Sequence, residues 1–288
     1  MILGSHVKMK APDYFAGAVQ EALSYRADAL MLYTGAPQNT RRTDTARMKI
    51  EEGQEMLRKA GIPLSHVIVH APYIINPANR TDAATASFAV EFLYREIQRT
   101  AALGAELLVL HPGSWTVTDP ETGIRSAAES LNRLGDYPEP VTVCLETMAG
   151  KGTELGSSFE ELAQILEKLN HPGHYGICLD TCHIHDAGYD VMDFDAVLDE
   201  FDRVIGMDHL KVIHLNDSKN VRGARKDRHA NIGKGEIGFD ALYRIAHNAR
   251  TAHLVRILET PYIKEQAPYG IEIDMLRSGV YEEERLSF

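Results

Sequence analysis

The sequence predicts an α/β fold built as a single-domain (β/α)8 barrel, and three observations lead there. Eight short apolar or β-branched runs are spread along the chain, each followed by a helical pattern or by room for one. Most of the runs are continuous rather than alternating, as strands buried on both faces of a parallel sheet must be. No low-complexity tract, proline-rich linker or short-period repeat divides the chain, so residues 1–288 are read as one domain. An open doubly wound sheet has the same periodicity, but eight strand–helix units favour closure.

The strands are expected at Ile2–Ser5, Ala29–Tyr33, Val67–His70, Leu107–Leu110, Val141–Leu145, Gly176–Leu179, Leu210–His214 and Leu254–Leu258. Between them, Phe88 and Phe92, and Ala89, Leu93 and Ile97, recur at four-residue steps and give one apolar helical face. Ser158 and Glu161 form a capping-box pattern ahead of Phe159, Leu162, Leu166 and Leu169. Phe194, Val197, Leu198 and Phe201 repeat the helical spacing. From Lys219 to Glu236 the rhythm breaks: three glycines and a run of basic residues carry no apolar period. A long loop inside a compact domain is usually functional, and this one follows the seventh strand, on the catalytic face of a barrel.

Bulk composition limits the function classes. The 288 residues are 44% hydrophobic and 25% charged, and every apolar run is interrupted before it reaches membrane-spanning length. The N-terminus lacks a basic region followed by an apolar one, so no signal peptide is expected. Three cysteines, Cys144, Cys178 and Cys182, cannot all pair, and read as reduced thiols of a cytoplasmic protein. A net charge of −11 runs against a nucleic-acid partner. Two local basic stretches run the other way: Arg41, Arg42, Arg47 and Lys49, and Lys219, Arg222, Arg225, Lys226 and Arg228. Taken from composition alone, these are solvated charge runs.

The strand ends carry the chemistry. Read in order, they deliver His70, His111, Glu146, Asp180 with His183, His214 and Glu259, and the long loop adds Asp227 and His229. A lone histidine at a strand end is ordinarily a hydrogen-bonded rim residue. Nine such groups at one barrel mouth would each be costly to bury uncompensated, unless metal ions neutralise them. Imidazole and carboxylate without thiolate suit zinc, and also manganese or iron. Cys182 is expected to turn aside as packing. His6 and His185 lie near the mouth with supporting roles at most. Such a cluster can activate water while holding a phosphate and its leaving oxygen.

At this point the residues resemble the endonuclease IV family of apurinic/apyrimidinic (AP) endonucleases, within the xylose-isomerase-like TIM barrels. The resemblance rests on G-I-C-L-D-T-C-H at 176–183 and I-H-L-N-D-S-K-N-V-R-G-A-R-K-D-R-H-A-N-I-G-K-G at 213–235. H-A-P-Y-I-I-N at 70–76, L-H-P-G-S at 110–114, C-L-E-T at 144–147 and L-E-T-P at 258–261 extend it over essentially the whole chain. It implies three zinc ions, with manganese or iron an option at one position. His70, His111 and Glu146 would hold the first; Glu146, bridging, with Asp180, His214 and Glu259 the second; His183, Asp227 and His229 the third. It implies hydrolysis 5′ to an abasic site by a hydroxide of lowered pKa, leaving a 3′-hydroxyl and a 5′-deoxyribose phosphate, with Glu146 and Glu259 as catalytic carboxylates. The partner implied is duplex DNA with the abasic nucleotide extruded, bound by a monomer without an obligate protein partner. DNA contacts are expected from Gln38, Tyr73 and Ile74 after the second and third strands, and from Lys219, Arg222 and Arg228 of the long loop. Some family members carry arginine where this chain has Gln38, and Pro72 replaces a small polar residue, stiffening the loop that bears Tyr73.

Two other readings compete. A sugar isomerase or epimerase on the same barrel would use a set resembling Glu146, Asp180, His214 and Glu259, but has no need of His70, His111, His183, Asp227 and His229. A damage-binding protein with structural zinc would need the metals but no open coordination position.

Overall fold

A computed structural model of the chain describes residues 1–287. Among the described residues, eight parallel strands close into a barrel in the order β1-β10-β7-β6-β5-β4-β3-β2. They are β1 (Ile2–His6), β2 (Ala29–Leu32), β3 (Val67–His70), β4 (Leu107–Leu110), β5 (Thr142–Glu146), β6 (Tyr175–Asp180), β7 (Leu210–His214) and β10 (Val255–Leu258). Each expected strand is present, shifted by no more than a residue or so at its ends. The long loop holds more order than its sequence suggests: β8 (Asp217–Ser218) and β9 (His229–Ala230) pair antiparallel into a short ribbon. Two-residue strands are too short to show a hydrophobic period.

The helices that cover the barrel include α3 (Ala83–Leu103), α5 (Phe159–Leu166) and α7 (Phe194–Val204), each where the apolar spacing expects it. Ser158 caps α5 through the Glu161 amide at 3.2 Å. The return half of the capping box is displaced: the Glu161 carboxylate accepts from the Gly156 and Ser157 amides at 2.8 and 2.9 Å, tying down the preceding loop instead.

The strands sort their side chains with period two. Ala29, Met31, Ile68, Val109, Cys144, Cys178, Val212, Val255 and Ile257 form a separate apolar cluster inside the barrel, while the intervening residues face the helices. Gly4 belongs to this packed interior, since a Cβ there would lie 1.9 Å from the Ala29 carbonyl oxygen. Two residues beyond the inner cluster the side chain points inward again. Ile68 is followed by His70, Val109 by His111, Cys144 by Glu146, Cys178 by Asp180, Val212 by His214 and Ile257 by Glu259. The polar residues thus form the top layer of a barrel whose floor is apolar.

On the outer side, helix α9 (Tyr269–Ser278) buries Glu272 completely. Its carboxyl accepts from the Ile232 amide at 3.0 Å and the Asn231 side chain at 3.1 Å, and is hydrogen-bonded to the Thr260 hydroxyl. Burial pushes its pKa from 4.5 up to about 7. The fold therefore keeps a proton that the unfolded chain releases, so stability falls as pH climbs from about 4.5 through 7. The shift corresponds to about 3 kcal/mol. Glu272→Gln preserves the three partners and should raise the melting temperature of chelator-treated protein above about pH 7, with no effect near about pH 4. An equal shift at both pH values would mean that Glu272 is ionised in the fold throughout.

Candidate metal centre

The nine expected ligand residues converge on the barrel mouth in overlapping groups. The ligand atoms of His70, His111 and Glu146 lie within 4.8 Å of one another, as do those of Glu146, Asp180, His214 and Glu259. A third group joins Asp180, His183 and His229, and Asp227 is 3.1 Å from His183 Nε2 and 3.6 Å from His229 Nε2. Glu146 stands between the first two groups, with its oxygens divided between them. Oε2 is 3.1 Å from His70 Nε2 and 3.2 Å from His111 Nε2, and Oε1 is 3.0 Å from His214 Nδ1.

Local structure explains why these atoms meet. Asp180 ends β6 and caps α6 (Thr181–Ala187), accepting from the His183 amide at 2.8 Å. That cap places Asp180 and His183 on one side of the first turn, which is the physical content of the D-T-C-H spacing. The other Asp180 oxygen accepts from Asn216 Nδ2 at 2.7 Å, and Asn216 Oδ1 accepts from the Glu259 amide at 2.8 Å. Asn216 thereby links the ends of β6 and β10.

Three imidazoles have their protons placed by the backbone. His70 Nδ1 donates to the Ala71 carbonyl at 2.7 Å, His183 Nδ1 to Thr147 at 2.7 Å, and His229 Nδ1 to Glu259 at 3.2 Å. A carbonyl can only accept, so each Nε2 of the neutral ring carries a lone pair. Those lone pairs face carboxylate oxygens: Glu146, Asp227, and, for His229, both Asp180 and Asp227 at 3.6 Å. Lone pair against carboxylate is repulsive unless a cation or an added proton lies between. His229 Nε2 is buried and has no hydrogen-bond partner. A divalent cation satisfies these atoms together, and histidine with its far nitrogen bonded to a carbonyl is the usual second support of a metal ligand. The donor set fits such ions.

Electrostatics agree. Burial opposes charge on Glu146, yet His214 and hydrogen bonds from the surrounding imidazoles hold its carboxyl well below the ordinary value. Burial likewise opposes the charge on Glu259, and His214 beside it holds that carboxyl far below the usual range. In the absence of a cation, the imidazoles supply the positive charge: His183 and His214 are raised well above the ordinary value by Asp180, Glu146 and Glu259 among their neighbours, against the cost of burial. His6 is different. Burial lowers it to about 4, leaving a neutral ring tilted at 60° to Tyr33, with centroids 5.1 Å apart. Its Nε2 is buried without a partner.

Cys182 lies nearer the cluster than its expected packing role, with Sγ within 4.8 Å of ligand atoms of Asp227 and His229. Burial raises the pKa of this thiol, which disfavours the thiolate. Cys178, beneath His214, is pushed up to about 12 by burial. All three cysteines are buried and free.

This arrangement has relatives. Residues 19–279 match the family model described as the xylose isomerase-like TIM barrel. A protein named probable endonuclease 4 from Bacillus licheniformis is 53% identical over 99% of this chain and 97% of its own length. The chain belongs to the endonuclease IV family. The Bacillus subtilis protein of the same name is 51% identical, covering 98% of this chain and 96% of its own. The crystal structure of endonuclease IV from Thermus thermophilus superposes with a TM-score of 0.82 at 31% identity, covering 96% of this chain and 98% of that one. At identities near one half over nearly the full chain, this endonuclease IV family member is a hydrolase of the nuclease type. A D-tagatose 3-epimerase-like protein superposes with a TM-score of 0.70 at 18% identity, a likeness of fold alone.

The residues expected at the DNA side fall on the loops around the mouth. Gln38 is exposed at the tip of the loop after β2, and Tyr73 is 53% exposed after β3. Ile74 is only half-buried, and packs on the core beneath Tyr73. The Ile75 amide donates to the Pro72 carbonyl at 2.9 Å, closing a turn that presents Tyr73. Lys219 and Arg228 are exposed neighbours across the ribbon, their backbones bonded at 2.9 Å. Arg222, at the loop tip, is ion-paired with Asp190 at 2.7 Å.

Several supporting residues carry no sequence signal of their own. Arg42 reads as part of a solvated basic run, but its guanidinium is largely buried against Glu96 at 2.7 Å. Its Nη1 also donates to the carbonyls of Ala36, Asn39 and Arg41, so one side chain shapes the loop that carries Gln38. Asp217 is fully buried and accepts from the amides of Ser218, Gly233, Gly235, Ile237 and Gly238. A Cβ on Gly235 would lie 2.4 Å from Asp217 Oδ1, so glycine is required there. Among the described residues no helix is long and apolar enough to cross a membrane.

Proposed function

We propose that the protein incises duplex DNA by hydrolysing the phosphodiester bond 5′ to an abasic site, leaving a 3′-hydroxyl and a 5′-deoxyribose phosphate, with three zinc ions held at the barrel mouth. The observation that carries this reading is the gathering of nine imidazoles and carboxylates in overlapping groups at the barrel mouth, with the Nε2 lone pairs of His70, His183 and His229 aimed at carboxylates. His70, His111 and Glu146 would hold one ion, Glu146, Asp180, His214 and Glu259 a second, and His183, Asp227 and His229 a third. When bound, such ions supply Lewis-acid charge to a phosphate and lower the pKa of a water.

The chain's own groups do the rest. Glu146 divides its two oxygens between neighbouring groups and sets their spacing. Glu259, with its side chain 17% exposed at the rim while Glu146 and Asp180 are sealed below, would orient the attacking water. Tyr73 and Gln38 would enter the minor groove at the lesion, with the half-buried Ile74 backing Tyr73. Extruding a nucleotide costs least where its base is already missing, which selects abasic sites without base readout. Lys219, Arg228 and Arg222 would contact phosphates, so binding should weaken with salt despite a net charge of −11.

The test is a duplex oligonucleotide with one abasic analogue, incubated with protein before and after removal of metal by a chelator. Incision 5′ to the lesion that is lost on chelation and restored by zinc is expected. Binding without incision would favour a damage-binding protein; a single ion per chain, with turnover of a ketose, would favour the epimerase reading.

A further inference from the structure

The first two ligand groups are set by barrel strands, but Asp227 comes from the long loop, and its backbone is in an uncommon conformation. Its φ is +55°, and Arg225 two residues earlier has φ +53°, a left-handed region that costs non-glycine residues energy. Something must hold the loop there. Asp186, in α6, is fully buried, and its carboxylate is committed to this loop. Oδ1 accepts from the Ser218 hydroxyl at 2.6 Å. Oδ2 accepts from the Asn220 side chain at 2.8 Å, the Asp227 amide at 2.9 Å and the Lys226 amide at 3.3 Å. The Asp186 carbonyl also accepts from the Arg225 amide at 2.9 Å, and the neighbouring His185 carbonyl from Gly223 at 3.0 Å.

We infer that Asp186 is the positioning residue for the third cation group, acting through Asp227. The assignment rests on the three-ion reading above. One carboxylate grips both the departing and the returning sides of the loop, and one of its bonds is to the amide of the ligand residue itself. Hydrogen bonds to an ionised acceptor are the strong kind, so the grip fixes Asp227 Oδ1 at its place beside His183 and His229. Coupling is reciprocal: an ion bound by Asp227 must in turn tighten the loop. Asp186→Asn keeps the side-chain size but turns an amide donor toward the Asp227 and Lys226 amides, or toward Ser218, whichever way it is rotated.

The experiment compares zinc-loaded wild type with Asp186→Asn by metal analysis, by chelator titration and by hydrogen exchange of peptides covering residues 219–228. Three ions in wild type are expected. In the variant one ion should bind roughly 10- to 100-fold more weakly, the size seen when a ligand's supporting partner is lost. The loop amides should exchange faster while those of the barrel strands are unchanged. Three ions held equally by both proteins, with equal loop protection, overturn the inference alone. Fewer than three ions in wild type overturn the three-ion reading and this inference with it. Uniform weakening of all ions together with faster exchange in the strands would make Asp186 a general fold determinant and also overturns it. If Asp186→Asn does not fold, Asn220→Ala removes one donor from the same oxygen and should shift ion affinity and loop exchange in the same direction; no shift counts against the assignment.

Discussion

Glu146→Gln should abolish incision, with a loss on the order of a thousandfold or more, as expected when Lewis-acid stabilisation worth several kcal/mol is removed. The residue is fully enclosed and faces three imidazoles with its two oxygens. A glutamine has one carbonyl oxygen. Its amide would put a donor in place of the acceptor that faces His70 and His111, or of the one that faces His214, and so remove one group's bridging ligand in either orientation. Metal content should fall in parallel, measured on the same preparation. A variant with near-normal rate would show that the chemistry takes place elsewhere than at this carboxylate.

The second large effect is expected at Arg42. Arg42→Ala leaves Glu96 buried, with the hydroxyl of Thr34 on its other oxygen at 2.6 Å. Removing one partner of a buried ion pair typically costs about 3–5 kcal/mol. The guanidinium also sits over the Phe92 ring at 4.8 Å and gathers three loop carbonyls, so the loop from Thr34 to Arg47 loses its organiser. The melting temperature should drop by several degrees, on the order of 10 °C. Protease sensitivity should rise at Arg41, and affinity for abasic duplex should weaken with metal content intact. Arg42→Lys should recover only part, since an ammonium cannot meet the carboxylate and three carbonyls in one plane. An unchanged melting curve would mean that the Arg42–Glu96 pair and the loop contacts of Arg42 contribute nothing to stability.

The barrel and most of the centre were legible in sequence because both obey period two. A residue such as His70, two places beyond the inward Ile68, has to face the barrel axis, and the same holds for Glu146 beyond Cys144. The ribbon was not legible. Its strands at Asp217–Ser218 and His229–Ala230 have no periodicity, and the loop is held by Asp186 and Asp217 through bonds to backbone amides, which any residue can supply. Arg42 was misleading for a related reason. Beside Arg41 it looks like exposed charge, while its partner Glu96 lies on α3, where a single acidic residue on a helix carries no hint of burial. Ile74 next to Tyr73 follows the same pattern: of two adjacent apolar residues, the turn closed by Pro72 presents one and packs the other.

The apolar floor beneath the ligand layer has a consequence for traffic. Ile68, Val109, Val212 and Ile257 plug the barrel below the polar groups. Ions, water, substrate and products therefore share a single doorway. A duplex seated over the mouth would close that doorway, so zinc should be far harder to strip by chelator while lesion DNA is bound. On the three-zinc reading proposed above, loading of the metals would have to precede engagement of the DNA.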